Sequence, residues 1–331
     1  MFTKIKLIAK CLIFIALSLI FIACVGKGNQ FGGNPQAAQT SSPEGRAYTA
    51  DSASNTISVI DIALQKRIDV IKTGAQPHHL AIRPKSNELW VTLYGADYVQ
   101  IFDITDHSYI GKVDVGASSD DISFSEDEQI AYISLGTSNR VAIVDCSSRK
   151  LTKTILVGKA PHGIKVNPEG KEVYVTSTEE NRVIVLSSIS KKVAKHIRVG
   201  TNPYEVLFTR DDTAIVTNLL DNTLSIIRQG KVEALVRVGQ QPSMMALSQD
   251  GKLLLVANAG SSDVSFIDTG SWKEIRRIPT GLRSHGVAII HNKALVTNMG
   301  DGSVSIIDLL SYRVIGRVQV GEQPNGIAVK Q

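Results

Sequence analysis

The sequence predicts an all-β fold, a seven-bladed propeller of four-stranded blades in which the last strand joins the first blade. Three observations predict it. A glycine recurs seven times at near-constant spacing, each interval holds four short strand-like runs, and the two end repeats are incomplete in complementary ways.

The recurring glycines are Gly74, Gly116, Gly158, Gly200, Gly239, Gly281 and Gly321, at steps of 42, 42, 42, 39, 42 and 40 residues. Each ends a β-branched run such as "ILVG" or "VQVG". Such a glycine is expected to supply the positive φ of a sharp reversal between strands. Three positions on stands Pro77, Pro161, Pro203, Pro242 or Pro324. Proline fixes its own φ and is expected to hold its predecessor extended, which aims the chain into the next strand.

Within a repeat such as "VGKAPHGIKVNPEGKEVYVT", the first strand is apolar and a polar turn follows. The second strand carries "YVT" at 174–176, with variants "WVT" at 90–92, "YIS" at 132–134, "IVT" at 215–217, "LVA" at 255–257 and "LVT" at 295–297. A third strand such as "VSIID" and an alternating fourth complete the unit. Four strands per unit of about 40 residues, without sustained helical periodicity, fit a propeller blade rather than a helical solenoid. Residues 46–73 supply only strands two to four of a blade, and residues 321–331 only strand one. Pairing them closes a ring of seven and leaves no exposed inner edge.

The pattern "VG…PHGI…P-G…YVT…VSVID" over residues 46–331 resembles the YVTN β-propeller family, found in surface-layer-like and exported bacterial proteins. The resemblance implies the fold and leaves the activity open, because propellers host unrelated functions.

The segment ahead of the repeats reads as a signal peptide over residues 1–23. A basic start with Lys4, Lys6 and Lys10 precedes an apolar run from Cys11 to Cys24, shorter than a bilayer span. "FIAC" makes Cys24 a lipidation candidate resembling a bacterial lipoprotein box, with an uncleaved anchor as the alternative. Residues 24–45 form a tether rich in Gly, Asn, Gln, Ser and Pro. The reading is an exported chain, lipid-anchored in the bacterial cell envelope, in periplasm or on the surface. The formal net charge is +5, three units of it in the leader lysines, so the near-neutral remainder gives nucleic-acid binding little support. Cys146 is the one cysteine beyond the tether and is expected to be a small buried residue.

The residue four past each glycine falls where the chain enters the innermost strand. These are His78, Asp120, His162, Tyr204, Ser243, His285 and Asn325, predicted to converge on a funnel at one face. The next ring outward holds His79, Asp121, Glu205 and Met244, with Gly163, Gly286 and Gly326 expected to leave space. Two readings of the ring stay open: the residues cap local backbone groups, or they form a site for a small molecule or peptide. A metal is a third reading, since His78, His162 and His285 are evenly spaced around seven blades and zinc accepts three histidines; Glu205 or Asp120 could then orient an imidazole.

The chain has no CxxCH, GxSxG, HExxH or phosphate-binding loop, and only Trp90 and Trp272, which argues against covalent haem and a quinoprotein motif. Asp61, Asp103, Asp145, Asp268 and Asp308 end third strands and are expected to set turns. Lys66, Lys150, Lys192, Lys231, Lys273 and Arg313 open outer strands and are expected to discourage edge pairing. The functional expectation is a tethered binding scaffold without catalytic residues or cofactor, its partner unidentified. The alternative is a funnel enzyme, a lactonase-like or metal-assisted hydrolase.

Overall fold

The computed structural model describes residues 45–83 and 85–330, so the leader, Cys24 and nearly all of the tether lie outside the described residues. Among the described residues, twenty-eight strands form seven four-stranded antiparallel sheets. Blade 1 spans residues 77–114, blade 2 122–156, blade 3 161–198, blade 4 203–237, blade 5 242–279 and blade 6 284–319. Blade 7 unites Pro324–Val329 with the strands of residues 46–72. Its closure is antiparallel, with Ala47 opposite Val329 and Tyr48 opposite Ala328. The first strand of every blade lies against the first strands of its neighbours, and these seven line the axis.

Strand composition accounts for the layering. Second and third strands are almost wholly buried, as in Glu88–Leu93 and Arg182–Ser187, because their apolar residues face the blades on either side. Outer strands expose nearly every side chain and bury one apolar residue close to the end, such as Ile71, Ile155, Ile197 or Ile278. Trp90, Tyr48, Tyr132 and Phe266 are the bulkiest fully buried groups between sheets. Each of the five third-strand aspartates accepts a backbone N–H from the following turn; Asp61 takes that of Leu64 at 2.8 Å and Asp308 that of Ser311 at 2.7 Å. Cys146 is buried and free, and burial pushes its thiol up to about 12.

Two local expectations are corrected. Of the seven repeat glycines only Gly116 has a positive φ, +82°. The others are glycine because no Cβ fits. At Gly200, Gly239 and Gly281 it would come within 2.5–2.6 Å of the Cγ of Asn218, Asn258 or Asn298. The left-handed residue is instead the one before proline, at Gln76, Ala160, Asn202, Gln241 and Gln323, with φ from +45° to +54°. The predecessor of proline is therefore the pivot of the reversal and is not extended.

The pivot is followed by a β-bulge. In blade 3, Pro161 pairs with Ser177 and Ile164 with Val175, so His162 and Gly163 oppose Thr176 alone. The same two-against-one arrangement recurs in blades 1, 4, 5 and 6. A bulge re-aims the side chain it carries, and each of these bulges carries a ring residue. The opposing hydroxyl, the last residue of the "YVT" triplet, joins neighbouring blades. Thr92, Ser134, Thr176, Thr217 and Thr297 donate to the carbonyls of Asp120, His162, Tyr204, Ser243 and Asn325 at 2.5–2.9 Å. Each also accepts a backbone N–H from the inner segment of its own blade, as Thr176 does from Gly163 at 2.8 Å and Ser134 from Asp121 at 3.0 Å.

Blade 5 has Ala257 at that position and no hydroxyl to give. There Ser243 supplies it from the inner strand, donating to His285 O at 2.8 Å. Ser243→Ala is expected to leave the His285 carbonyl unsatisfied and to cost about 1–3 kcal/mol, read as a lower Tm by calorimetry. Adding Ala257→Ser should recover part of that loss; a double variant no more stable than the single one would show that the two hydroxyls are not equivalent.

Candidate functional site

The ring residues do not all reach one space. His78, Asp120, His162 and Tyr204 line a cavity of about 490 Å³ together with Tyr94, Thr137, Glu179 and Asn202. A second hollow of about 570 Å³ shares His78 and Tyr94 and adds Asn325, Gln323 and Met299. Ser243 is a correction: it is fully buried, with its hydroxyl turned to backbone. His285 lies behind the funnel wall, where its Nε2 meets the Tyr204 hydroxyl at 3.1 Å. The glycines of the next ring are corrected too. A Cβ on Gly163, Gly286 or Gly326 would come within 2.4–2.8 Å of a backbone oxygen of the adjoining blade, so these residues permit close strand contact and leave no opening.

Five rings run in sequence, the first four along the wall and His285 behind it. Tyr94 lies 6.0 Å from His78, and His78 packs edge-on to His162 at 5.3 Å. The His162 imidazole stacks on Tyr204 at 3.7 Å, and Tyr204 meets His285 edge-on at 5.6 Å. His78 Nδ1 lies 3.0 Å from the Asp120 carbonyl, and His162 Nδ1 lies 3.1 Å from the Tyr204 carbonyl. A carbonyl oxygen can only accept, so in both rings Nδ1 carries the proton and Nε2 keeps its lone pair. The Nε2 of His162 is buried and has no partner. These carbonyls are the ones that the Thr92 and Thr176 hydroxyls hold.

Burial, reinforced by His78, pushes His162 down to about 3, and burial likewise lowers His78. Both imidazoles are therefore neutral at neutral pH. Burial and the nearby Asp121 push Asp120 up to about 7, against the amide of Gly136, which donates to its Oδ2 at 2.8 Å.

Further down the channel, His79 and Asp121 form an ion pair at 2.7 Å. Burial works against the Asp121 charge, yet His79 and the amides of Ile164 and Ile122 hold its pKa below the usual carboxylate range. Glu205 is pushed the other way, up to about 8, by burial and then by Asp121, with His79 and Lys165 opposing. The repeat spacing points to the inner ring, and the structure adds Tyr94, Glu179 and Asn202 to the lining. Tyr94 and Asn202 stand at fixed offsets from the repeat glycines, so aligning the repeats could have located them.

The family model described as lactonase, 7-bladed β-propeller matches residues 23–271. The chain belongs to the seven-bladed β-propeller lactonase family. No curated protein matches it. Among solved structures it is similar to the periplasmic gluconolactonase of Pseudomonas aeruginosa, at TM-score 0.72 and 16% identity over 86% of this chain and 99% of that one. A functionally unknown protein from Desulfotomaculum acetoxidans gives 0.78 and 17% over 86% and 98%. Hydrazine synthase from Kuenenia stuttgartiensis gives 0.69 and 19% over 76% and 88%. At these identities the likeness is one of fold.

Glu205 offers a test of the buried channel. Its folded pKa exceeds its unfolded value, so the stability it contributes is full below about pH 4.5 and is lost as pH rises through about 8. Glu205→Gln cannot ionise, and its Tm relative to the parent protein should climb by several degrees across that window. A Tm difference that stays constant with pH would refute the protonated Glu205.

Proposed function

We propose that the funnel hydrolyses lactones, with a polyhydroxylated sugar lactone as the favoured substrate class. The family membership and the fold shared with a gluconolactonase support this reading over a passive scaffold. The observation that carries it is the unpartnered Nε2 of His162, a neutral base beside Asp120 in an open polar cavity. Hydrolysis adds water to the ring carbonyl, breaks the acyl–oxygen bond and hands a proton to the departing ring oxygen. A lone pair on His162 Nε2 can accept a hydrogen bond from the attacking water and aim it at the ring carbonyl. Tyr94 and Tyr204 give flat faces for a sugar ring, while Thr137, Glu179 and Asn202 supply partners for its hydroxyls.

Full-length protein in detergent should accelerate acid release from gluconolactone above the spontaneous rate. His162→Ala should lose about 100-fold or more of that acceleration while keeping its circular dichroism. No acceleration, or full activity in His162→Ala, would overturn the assignment; lactone binding without turnover would return the protein to the scaffold class.

We further propose that residues 1–23 export the chain and that Cys24 carries a lipid, with residues 25–45 holding the propeller clear of the bilayer. Mass spectrometry of the amino-terminal peptide from native membranes should show a diacylglyceryl-modified Cys24, and Cys24→Ser should shift the protein to the soluble fraction. An intact leader on the mature chain would refute cleavage.

A further inference from the structure

We propose that the funnel mouth is a site for a first-row divalent transition metal, bound by His78 Nε2, His162 Nε2 and a carboxylate oxygen of Asp120. Among the described residues these three offer ligand atoms that all lie within 4.8 Å of one another. Around a zinc-like ion with bonds of about 2.0–2.1 Å, tetrahedral ligand atoms stand roughly 3.4 Å apart. Bringing the three groups from within 4.8 Å to that spacing calls for side-chain torsion.

The surroundings of the three groups are those of a metal site. A ligand imidazole needs its second nitrogen protonated and held by an acceptor, which fixes the tautomer and turns the lone pair towards the ion. Both histidines have this arrangement, through the carbonyls of Asp120 and Tyr204. Those carbonyls are in turn held at 2.8 and 2.9 Å by the Thr92 and Thr176 hydroxyls, so the inter-blade joints also orient the ligands. The Gly136 amide fixes Asp120 Oδ2 at 2.8 Å and leaves its other oxygen available. His162 is 8% exposed, and its Nε2 has no partner. A buried polar atom without one is costly, and a cation held with Asp120 and His78 would satisfy it.

Two nitrogens and one carboxylate oxygen favour zinc, cobalt or nickel over magnesium and calcium, which prefer all-oxygen shells. Three protein ligands beside an open cavity leave a position for water or substrate, as in catalytic rather than structural sites. This set differs from the three evenly spaced histidines suggested by the sequence. His285 has its Nε2 engaged by Tyr204, and Asp120 of the intervening blade takes its place. A metal bound here would take the His162 Nε2 lone pair, so it would replace the general-base role given to that atom above; its binding can be tested without any activity.

Untagged full-length protein, stripped with chelator and dialysed, would be titrated with cobalt(II), read by its visible absorption, and with zinc(II) and magnesium(II) by calorimetry. One equivalent of cobalt and zinc should bind and magnesium should not. Asp120→Asn and His78→Ala should each weaken zinc at least 10-fold. Thr176→Val, which touches no metal, should weaken it by about 10-fold through the freed Tyr204 carbonyl, with His285→Gln retaining one equivalent. Absence of saturable binding, equal binding of magnesium, or unchanged affinity in both Asp120→Asn and His78→Ala would overturn the site. Metal binding without lactone turnover would overturn the hydrolase reading alone, and turnover by protein that binds no metal would overturn this site alone.

Discussion

A single buried hydroxyl, repeated around the ring, links the architecture to the site. It closes the second strand of a blade, opposes the bulge in its own inner strand and donates to the first ring carbonyl of the blade beyond. Sheets packed face to face through apolar side chains could slide or tilt with little penalty, because such contacts have no direction. A hydrogen bond to a buried carbonyl has direction and is costly to leave unmade. Six joints use it in two forms, threonine or serine on the second strand, or Ser243 on the inner strand. At the closing joint between blades 7 and 1, Ser52 donates to the Pro77 carbonyl at 2.5 Å.

The same joints organise the chemistry. Where the bulge turns a ring side chain to the funnel, as at His78 and His162, a ring carbonyl of the next blade is open to both a neighbouring hydroxyl and the imidazole. His78 and His162 each reach forward one blade to such a carbonyl. The tautomer of each histidine is thus set by the packing of adjacent sheets. Below them the channel changes character: His79 and Asp121 meet at 2.7 Å, and burial pushes Glu205 up to about 8.

The periodic glycine, the four runs per unit and the incomplete ends were sufficient to read the seven blades and their closure. Those signals are local in sequence and repeated, so each copy corroborates the others. The third-strand aspartates were legible for the same reason. The repeat glycines are legible but the reason for most of them is not: close approach of a neighbouring side chain requires all but Gly116, whereas the residue before proline takes the left-handed turn. Ser243 and His285 were placed in the funnel because periodicity assigns the position of a residue but not the direction of its side chain. Only the Ala257 vacancy in the repeat draws the Ser243 hydroxyl to backbone, and only contact with Tyr204 engages His285.

By itself the sequence determined the fold, the order of the blades and which seven residues stand at the entrance to the inner strands, because strand period and repeat spacing are properties of the chain alone. The tertiary structure decided which of those residues meet. His78, Asp120 and His162 come from three successive blades, 42 residues apart at each step, and become neighbours only when the inner strands converge on the axis. Their tautomers and shifted pKa values follow from that convergence, since burial and a neighbour's carbonyl exist only once the ring has closed.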